Sequence, residues 1–181
     1  MHLKEECISS KEIFNGKIFK IKVDDVKLEN GKTSIREVVH HNGGVCILPL
    51  TDKNEVIFVK QFRYPYMETV LELPAGKLEA GEEHYSAGKR ELLEETGCTC
   101  KKYQYLGKLY PSPGYVDEII HLYLAQELEF SEQHLDDDEF LDIIKIPLEK
   151  AVEMVMSGEI YDSKTQVCIL KTYISMKKGS Y

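Results

Sequence analysis

Residues 90–97 read Arg-Glu-Leu-Leu-Glu-Glu-Thr-Gly, and this stretch constrains the chain more than any other. The pattern over residues 82–96 is helical, and Gly97 stops it. At about 100° per residue, Glu91, Glu94 and Glu95 share one helix face, within an arc of about 100°. Like charges three and four residues apart repel and weaken a helix. A cation among them relieves the repulsion. Mg2+ suits the place, because it takes carboxylate oxygens and keeps waters or phosphate oxygens in its other positions. One turn earlier, Ala87 and Gly88 are expected to leave room above the metal for a bulky anion, while Leu92 and Leu93 turn to the core. The competing reading is an ordinary solvated acidic face. The residues ahead of the helix decide against it.

A chain of 181 residues, 43% of them apolar, makes one domain of ordinary size, or one domain with an appended arm. Apolar residues are too frequent for disorder. The longest apolar runs, such as Val45-Cys46-Ile47-Leu48-Pro49-Leu50, fall far short of the ~20 residues a bilayer span needs. No apolar signal region follows Met1-His2-Leu3-Lys4-Glu5-Glu6. The 23 basic and 31 acidic residues leave a charge of −8. That balance argues against nucleic-acid and anionic-membrane partners and suits a soluble protein that holds a metal cation. Cys7, Cys46, Cys98, Cys100 and Cys168 lack disulfide-framework or zinc spacing. All are expected to be reduced thiols in a cytoplasmic protein.

Strands fill the first third. Residues 17–28 alternate Phe19, Ile21 and Val23 against Lys20, Lys22 and Asp24. Asn30-Gly31 supplies a turn, both residues tolerating positive φ, and residues 34–40 return. Residues 1–41 are therefore expected to form an antiparallel β-arm, and residues 42–181 the main domain. The apolar runs 45–50 and 56–62 predict a second hairpin. Residues 70–73 form a short strand closed by Pro74. Residues 103–110 and 118–128 are strands around the rigid turn Pro111-Ser112-Pro113-Gly114, and 140–146 is another strand. Pro147 opens a helix to Met156, and Asp162 or Ser163 caps a last helix ending near Lys177. Strands and helices without βαβ alternation predict an α+β fold, helices flanking a mixed or antiparallel sheet. His84 is expected to be an exposed helix residue, and His40-His41 a strand end rather than metal ligands.

Leu73-Pro74-Ala75-Gly76-Lys77-Leu78-Glu79-Ala80-Gly81-Glu82 precedes the helix. Gly76, five residues, Glu82, seven residues, then Arg90-Glu91-Leu92-x-Glu94-Glu95-x-Gly97-Cys98 resembles the Nudix box. Cys98 stands where a larger aliphatic residue is usual, though cysteine is itself apolar. In physical terms the motif is loop, helix, loop. Gly76 and Gly81 permit backbone turns that other residues resist. The loop can then set a backbone carbonyl, taken as that of Ala75, beside the carboxylates. Glu82 and Arg90 read as a structural pair holding the loop to the helix. The resemblance implies the Nudix fold, with sheets sandwiched by helices. It further implies that Glu91 and Glu95 are the principal metal ligands and Glu94 a further ligand and catalytic candidate. Two or three Mg2+ ions, or Mn2+, would bind there.

Such a family implies hydrolysis of a nucleoside diphosphate linked to another moiety, which residues outside the box select. Tyr110-Pro111-Ser112-Pro113-Gly114-Tyr115-Val116-Asp117-Glu118 follows, with Pro113 fifteen residues after Cys98. This loop resembles that of the ADP-ribose pyrophosphatase subgroup. The resemblance implies that Ser112, Pro113 and Gly114 border the ribose and diphosphate, and that Glu118 hydrogen-bonds substrate or its waters. A rigid turn without a ligand is the alternative. Arg63 and Arg36 match arginines that bind ADP-ribose in the subgroup, where a guanidinium grips phosphate in bidentate fashion. Surface ion pairs are the alternative for both.

The subgroup draws its catalytic carboxylate from an acidic loop far along the chain. Leu135-Asp136-Asp137-Asp138-Glu139-Phe140 is that loop here, and it lacks the ligand spacing of an EF-hand. Matching on the strand and helix beyond it gives Glu139 the role of activating water and ligating metal, with Asp137 as fallback. The resemblance runs nearly the whole chain, to Ile160-Tyr161-Asp162-Ser163-Lys164-Thr165. It implies Mg2+-dependent hydrolysis of ADP-ribose to AMP and ribose 5-phosphate by a homodimer. Swapped arms would complete the neighbour's adenosine pocket, with Arg36 among the residues they lend. Sugar nucleotides and dinucleoside polyphosphates are rival substrates. A non-catalytic nucleotide sensor is the rival of another class, and the complete Glu91, Glu94 and Glu95 set argues against it.

Overall fold

The computed structural model describes residues 2–135 and 140–179. In chain order these form β1 (Glu6–Asn15), β2 (Phe19–Lys27), β3 (Thr33–His41), β4 (Gly44–Pro49), β5 (Glu55–Arg63), β6 (Glu68–Glu72) and β7 (Ala75–Lys77). Then follow α1 (His84–Thr96), β8 (Cys98–Leu109), β9 (Ile120–Phe130), β10 (Leu141–Pro147), α2 (Leu148–Ser157) and α3 (Ser163–Lys177). They fall into two compact units. Met1–Gly43 and Tyr110–Ile119 form the first; Gly44–Leu109 and Ile120–Tyr181 form the second.

In the first unit β1, β2 and β3 pair antiparallel in chain order. The turn between β2 and β3 places Gly31 at φ +78°, a left-handed angle that favours glycine. The 110–119 segment joins this sheet. Val39 forms a parallel bridge with Val116, its N–H donates to the Tyr115 carbonyl, and its carbonyl accepts from Asp117 N–H. The expected tight turn at 111–114 is thus part of a longer excursion, because β8 ends at Leu109 and β9 begins at Ile120.

The second unit holds a mixed sheet ordered β7-β4-β9-β8 and an antiparallel sheet ordered β10-β5-β6. Within the mixed sheet β4 and β9 run parallel, Gly44 facing Ile120. The period-two alternation of strands divides the core between helices. Cys46, Leu48, Phe58, Leu122 and Leu124 pack with Leu148 and Ala151 of α2 and Cys168 and Ile169 of α3. Their sequence neighbours Val45, Ile47, Ile57, Tyr123 and Ala125 pack with Ala87 and Leu92 of α1. The strands are sandwiched, which is why they read as continuous apolar runs. It also explains why the hairpin expected from 45–50 and 56–62 does not form. β4 and β5 belong to different sheets, and the bridge between these runs, Leu50–Val56, is an isolated one just past the end of β4. A strand buried on both faces carries no mark of which neighbour it pairs with.

Pro147 is the N-cap of α2 rather than a residue of its first turn. Asp162 caps α3 as expected, its side chain accepting from Thr165 N–H. All five cysteines are free thiols. Among the described residues no helix is long and apolar enough to cross a membrane.

Candidate metal and substrate site

The α1 helix ends where its sequence says it must. Gly97 takes the left-handed φ of 66° and donates its N–H to the Leu93 carbonyl. Glu91 and Glu95 are 8% and 2% exposed, and Glu94 is half-buried. Arg90 holds this face together. Its Nη1 donates to Glu91 at 2.9 Å and to Glu94 at 2.8 Å, while Nε and Nη2 hold the two Glu82 oxygens at 3.0 and 3.1 Å. The Glu82–Arg90 pair thus fastens loop to helix as expected. These carboxylates raise the Arg90 pKa far above its ordinary value, the Glu82 hydrogen bonds first, and burial opposes them only in part.

The loop closes on the helix from the other side. Ala75 N–H donates to Glu95 Oε2 at 3.0 Å. Gly76 lies against Glu91, where a Cβ would come within 1.9 Å of Oε1. Gly76 is therefore needed for close approach, whereas Gly81, at φ +80°, is needed for its backbone angle. The expected open space above Ala87 and Gly88 is absent. Ala87 is fully buried, and a Cβ on Gly88 would meet the Tyr103 hydroxyl at 2.0 Å. Both are small because α1 packs tightly onto the sheet. Leu92 is buried as expected, and Leu93 only half-buried.

Carboxylate oxygens on adjacent turns, two of the groups buried and one of those set against Gly76, form a donor set that fits a hard divalent cation. Among the described residues, no three acidic, histidine or cysteine side chains already converge as a closed cage.

Arg63, at the end of β5, is held by Glu72 in bidentate fashion, at 2.6 and 2.9 Å. Lys164 reaches the same carboxylate and also Asp162 at 3.0 Å. Burial alone would raise the Glu72 pKa, but Arg63 and Lys164 overcome it and hold the carboxyl below the usual range. Burial would likewise lower Lys164, and Asp162 and Glu72 outweigh it. The Glu72 hydrogen bonds, with the nearby Glu95 charge, raise Arg63. Neither Glu72 nor Lys164 stands out in the sequence as a site residue. The available signal is one charge between Leu71 and Leu73 in an apolar strand, which needs a partner once buried.

In the first unit, Arg36 is engaged by Glu5, Nε at 2.8 Å and Nη2 at 2.5 Å, and Nη1 donates to Ser34 Oγ and the Ile35 carbonyl. The Ser112 carbonyl accepts from Tyr115 and Val116 N–H groups, leaving Pro113 and Gly114 exposed on the turn. Asp117 clamps the turn to β3. Its Oδ2 lies 2.5 Å from His40 Nδ1 and its Oδ1 accepts from His41 N–H at 2.9 Å. Glu118 lies 3.4 Å from His41 Nδ1. His40-His41 is a strand end, as expected, but one that anchors the loop.

His84 is not the exposed helix residue expected. Its ring stacks on His121 at 3.7 Å and its Nδ1 lies 2.5 Å from the Tyr123 hydroxyl. Burial, with the charges of His84 and Lys108, keeps the His121 pKa below its ordinary value. Glu139 and the fallback Asp137 lie outside the described residues.

A family profile described as NUDIX domain matches residues 40–164, and one described as nucleoside diphosphate sugar hydrolase N-terminal domain matches residues 5–39. The chain is 47% identical to an ADP-ribose pyrophosphatase of Bacillus subtilis (strain 168), over 98% of this chain and 96% of that protein. It is 44% identical to a methanol dehydrogenase activator of Bacillus methanolicus, over 92% and 91% of the two chains. An ADP-ribose pyrophosphatase of Mycobacterium tuberculosis is 36% identical over 87% of this chain and 78% of its own. A crystal structure of an ADP compounds hydrolase shares the fold, with a TM-score of 0.88 and 21% identity, covering 99% of this chain and 97% of that one.

Proposed function

The chain belongs to the NUDIX family, and we propose that it hydrolyses the pyrophosphate bond of ADP-ribose, giving AMP and ribose 5-phosphate. The observation that carries the hydrolase reading is the buried pair Glu91, set against Gly76, and Glu95, held by the Ala75 N–H. Two relatives named for ADP-ribose, at 47% and 36% identity, support the substrate.

Glu91, Glu94, Glu95 and the Ala75 carbonyl would hold two or three Mg2+ or Mn2+ ions, Glu139 completing the set. Bound there, the ions neutralise phosphoryl oxygens and lower the pKa of a coordinated water. Glu139 orients the attacking water and takes its proton. Arg63 offsets negative charge on the diphosphate. Arg36, Ser112, Pro113, Gly114 and Glu118 bind and orient the substrate, which lowers the barrier by positioning. The reading includes a cytoplasmic homodimer, in which the arm serves the neighbouring subunit. Exposed Ile8, Ile13, Phe14, Ile18 and Ile35 on the arm support an interface there. Dilution to monomers should cost activity, and full activity in a stable monomer would refute that part.

A second reading, hydrolysis of a nucleoside diphosphate sugar, is favoured by the match over residues 5–39 and by GDP-mannose pyrophosphatases such as that of Enterobacter sp. (strain 638), 29% identical. Measuring kcat/KM on ADP-ribose, GDP-mannose and a dinucleoside polyphosphate, with Mg2+, separates the two. ADP-ribose should lead by at least about tenfold, a difference of about 1.4 kcal/mol in transition-state stabilisation. Glu95→Gln should abolish turnover and leave the far-ultraviolet circular dichroism unchanged. Preference for GDP-mannose would establish the second reading, and turnover at the wild-type rate in Glu95→Gln would overturn the metal assignment.

A further inference from the structure

Segment 72–75, between β6 and the first residue of β7, carries Arg63's partner and brings Ala75 to α1. Each of its four residues is held by a different hydrogen-bonding group. The Glu72 carboxylate takes Arg63 and Lys164. Leu73 N–H donates to Thr165 Oγ1 at 2.9 Å. The Pro74 carbonyl accepts from Ile47 N–H at 2.9 Å. Ala75 N–H donates to Glu95 at 3.0 Å. Two of these holds come from the first turn of α3, at residues 92 positions along the chain from the groups they grip.

The α3 end of the arrangement is costly. The Lys164 side chain is 13% exposed and that of Glu72 3%. Taking two charges out of water is repaid only when geometry and further hydrogen bonds are good, and an apolar pair of similar volume often serves stability as well. Lys164 is not needed to cap α3, since Asp162 does so through Thr165 N–H. What the lysine and the threonine hydroxyl do instead is hold Glu72 and Leu73 against the sheet. Arg63 at one end of the segment and Ala75 at the other thereby stay in place toward Glu95.

We propose that Lys164 and Thr165 are positioning residues for the α1 metal site, acting through segment 72–75 on the Ala75 carbonyl and the Arg63 guanidinium. This rests on the metal reading above and not on the identity of the substrate. The test is Mn2+ binding to the full-length chain without substrate, followed by electron paramagnetic resonance. Lys164→Met should weaken Mn2+ binding about tenfold, the effect usual for groups that orient metal ligands. Thr165→Val should weaken it in the same direction, and Thr165→Ser, which keeps the hydroxyl, should retain wild-type affinity. Thr172→Val is the control, a fully buried threonine on the same helix whose Oγ1 has no partner among the described residues, and it should leave affinity unchanged. Lys164→Met and Thr165→Val proteins with native near-ultraviolet circular dichroism and wild-type affinity would overturn the proposal. Failure of both variants to fold would overturn it too, by reducing the contacts to structural ones. Wild-type protein whose Mn2+ uptake is insensitive to Glu95→Gln would instead defeat the metal reading, a separate result.

Discussion

Gly76 and Glu91 are in direct contact: a Cβ on the glycine would lie 1.9 Å from Glu91 Oε1 and 2.0 Å from its Cδ. The loop and the helix of the motif therefore meet at a point where one methyl group does not fit. Gly76→Ala must displace the carboxylate, which is the far end of a flexible side chain. Its Tm should stay within a few degrees of wild type, while Mn2+ affinity and kcat/KM each fall by at least about tenfold. Unchanged affinity would show that the carboxylate moves without cost to the site.

Arg90 is the cation set among the acidic side chains of α1 and its preceding loop. Its side chain, 32% exposed, bridges Glu82, Glu91 and Glu94. Arg90→Met leaves those carboxylates facing one another. In metal-free buffer at neutral pH the variant should lose about 1–2 kcal/mol, the partial exposure tempering the penalty of a fully buried pair. For a chain of this length that is roughly 2–8 °C in Tm. Saturating Mg2+ should narrow the gap, because divalent charge replaces the guanidinium. Calorimetry with and without Mg2+ checks it; an equal deficit in both buffers would refute the idea.

Gly88 and Tyr103 offer a coupled pair. Among the described residues the buried Tyr103 hydroxyl has no hydrogen-bond partner, and it is the atom a Gly88 side chain would strike, at 2.0 Å. Tyr103→Phe removes an unsatisfied polar atom and should be neutral or stabilising by up to about 1 kcal/mol. Gly88→Ala alone should destabilise through overpacking. Once Tyr103→Phe has removed the hydroxyl, the nearest atom to that Cβ would be the ring Cζ at 3.3 Å. That contact is still tight, so Gly88→Ala should cost much less there than in the wild type, the helix preference for alanine of about 1 kcal/mol working against the remaining crowding. Urea unfolding of the wild type, the two single variants and the double variant should show strong non-additivity, and additive effects would refute the clash.

Acid stability should report Glu72. Its pKa is lowered in the folded chain by Arg63 and Lys164, against burial. A carboxyl with a depressed folded pKa contributes stability that is fully present above the unfolded value and lost as pH falls through the folded one. Stability from this group should therefore hold at neutral pH and decline below the ordinary glutamate value of 4.5. Glu72→Gln should lower stability at pH 7 and flatten the acid slope. A slope identical to wild type would remove Glu72 from the account.

Local order along the chain sufficed to reveal the α1 helix, its Gly97 stop, the coincidence of Glu91, Glu94 and Glu95 on one face, and the Glu82–Arg90 fastening. Each depends on helical spacing or on a turn that only glycine takes easily, and those are properties of a few neighbouring residues. The β2–β3 hairpin and the Asp162 cap were legible for the same reason. Packing across long separations settled the rest. β4 and β5 are apolar on both faces, so nothing in either run announces that they enter different sheets. The spaces beside Ala87 and Gly88 are filled by side chains from distant strands. Arg63 meets Glu72 and Lys164, and His40 meets Asp117, because the fold closes loops of many residues. Partners for a buried charge are chosen by whichever group the closed core brings within reach, and no pattern of nearby residues encodes that choice.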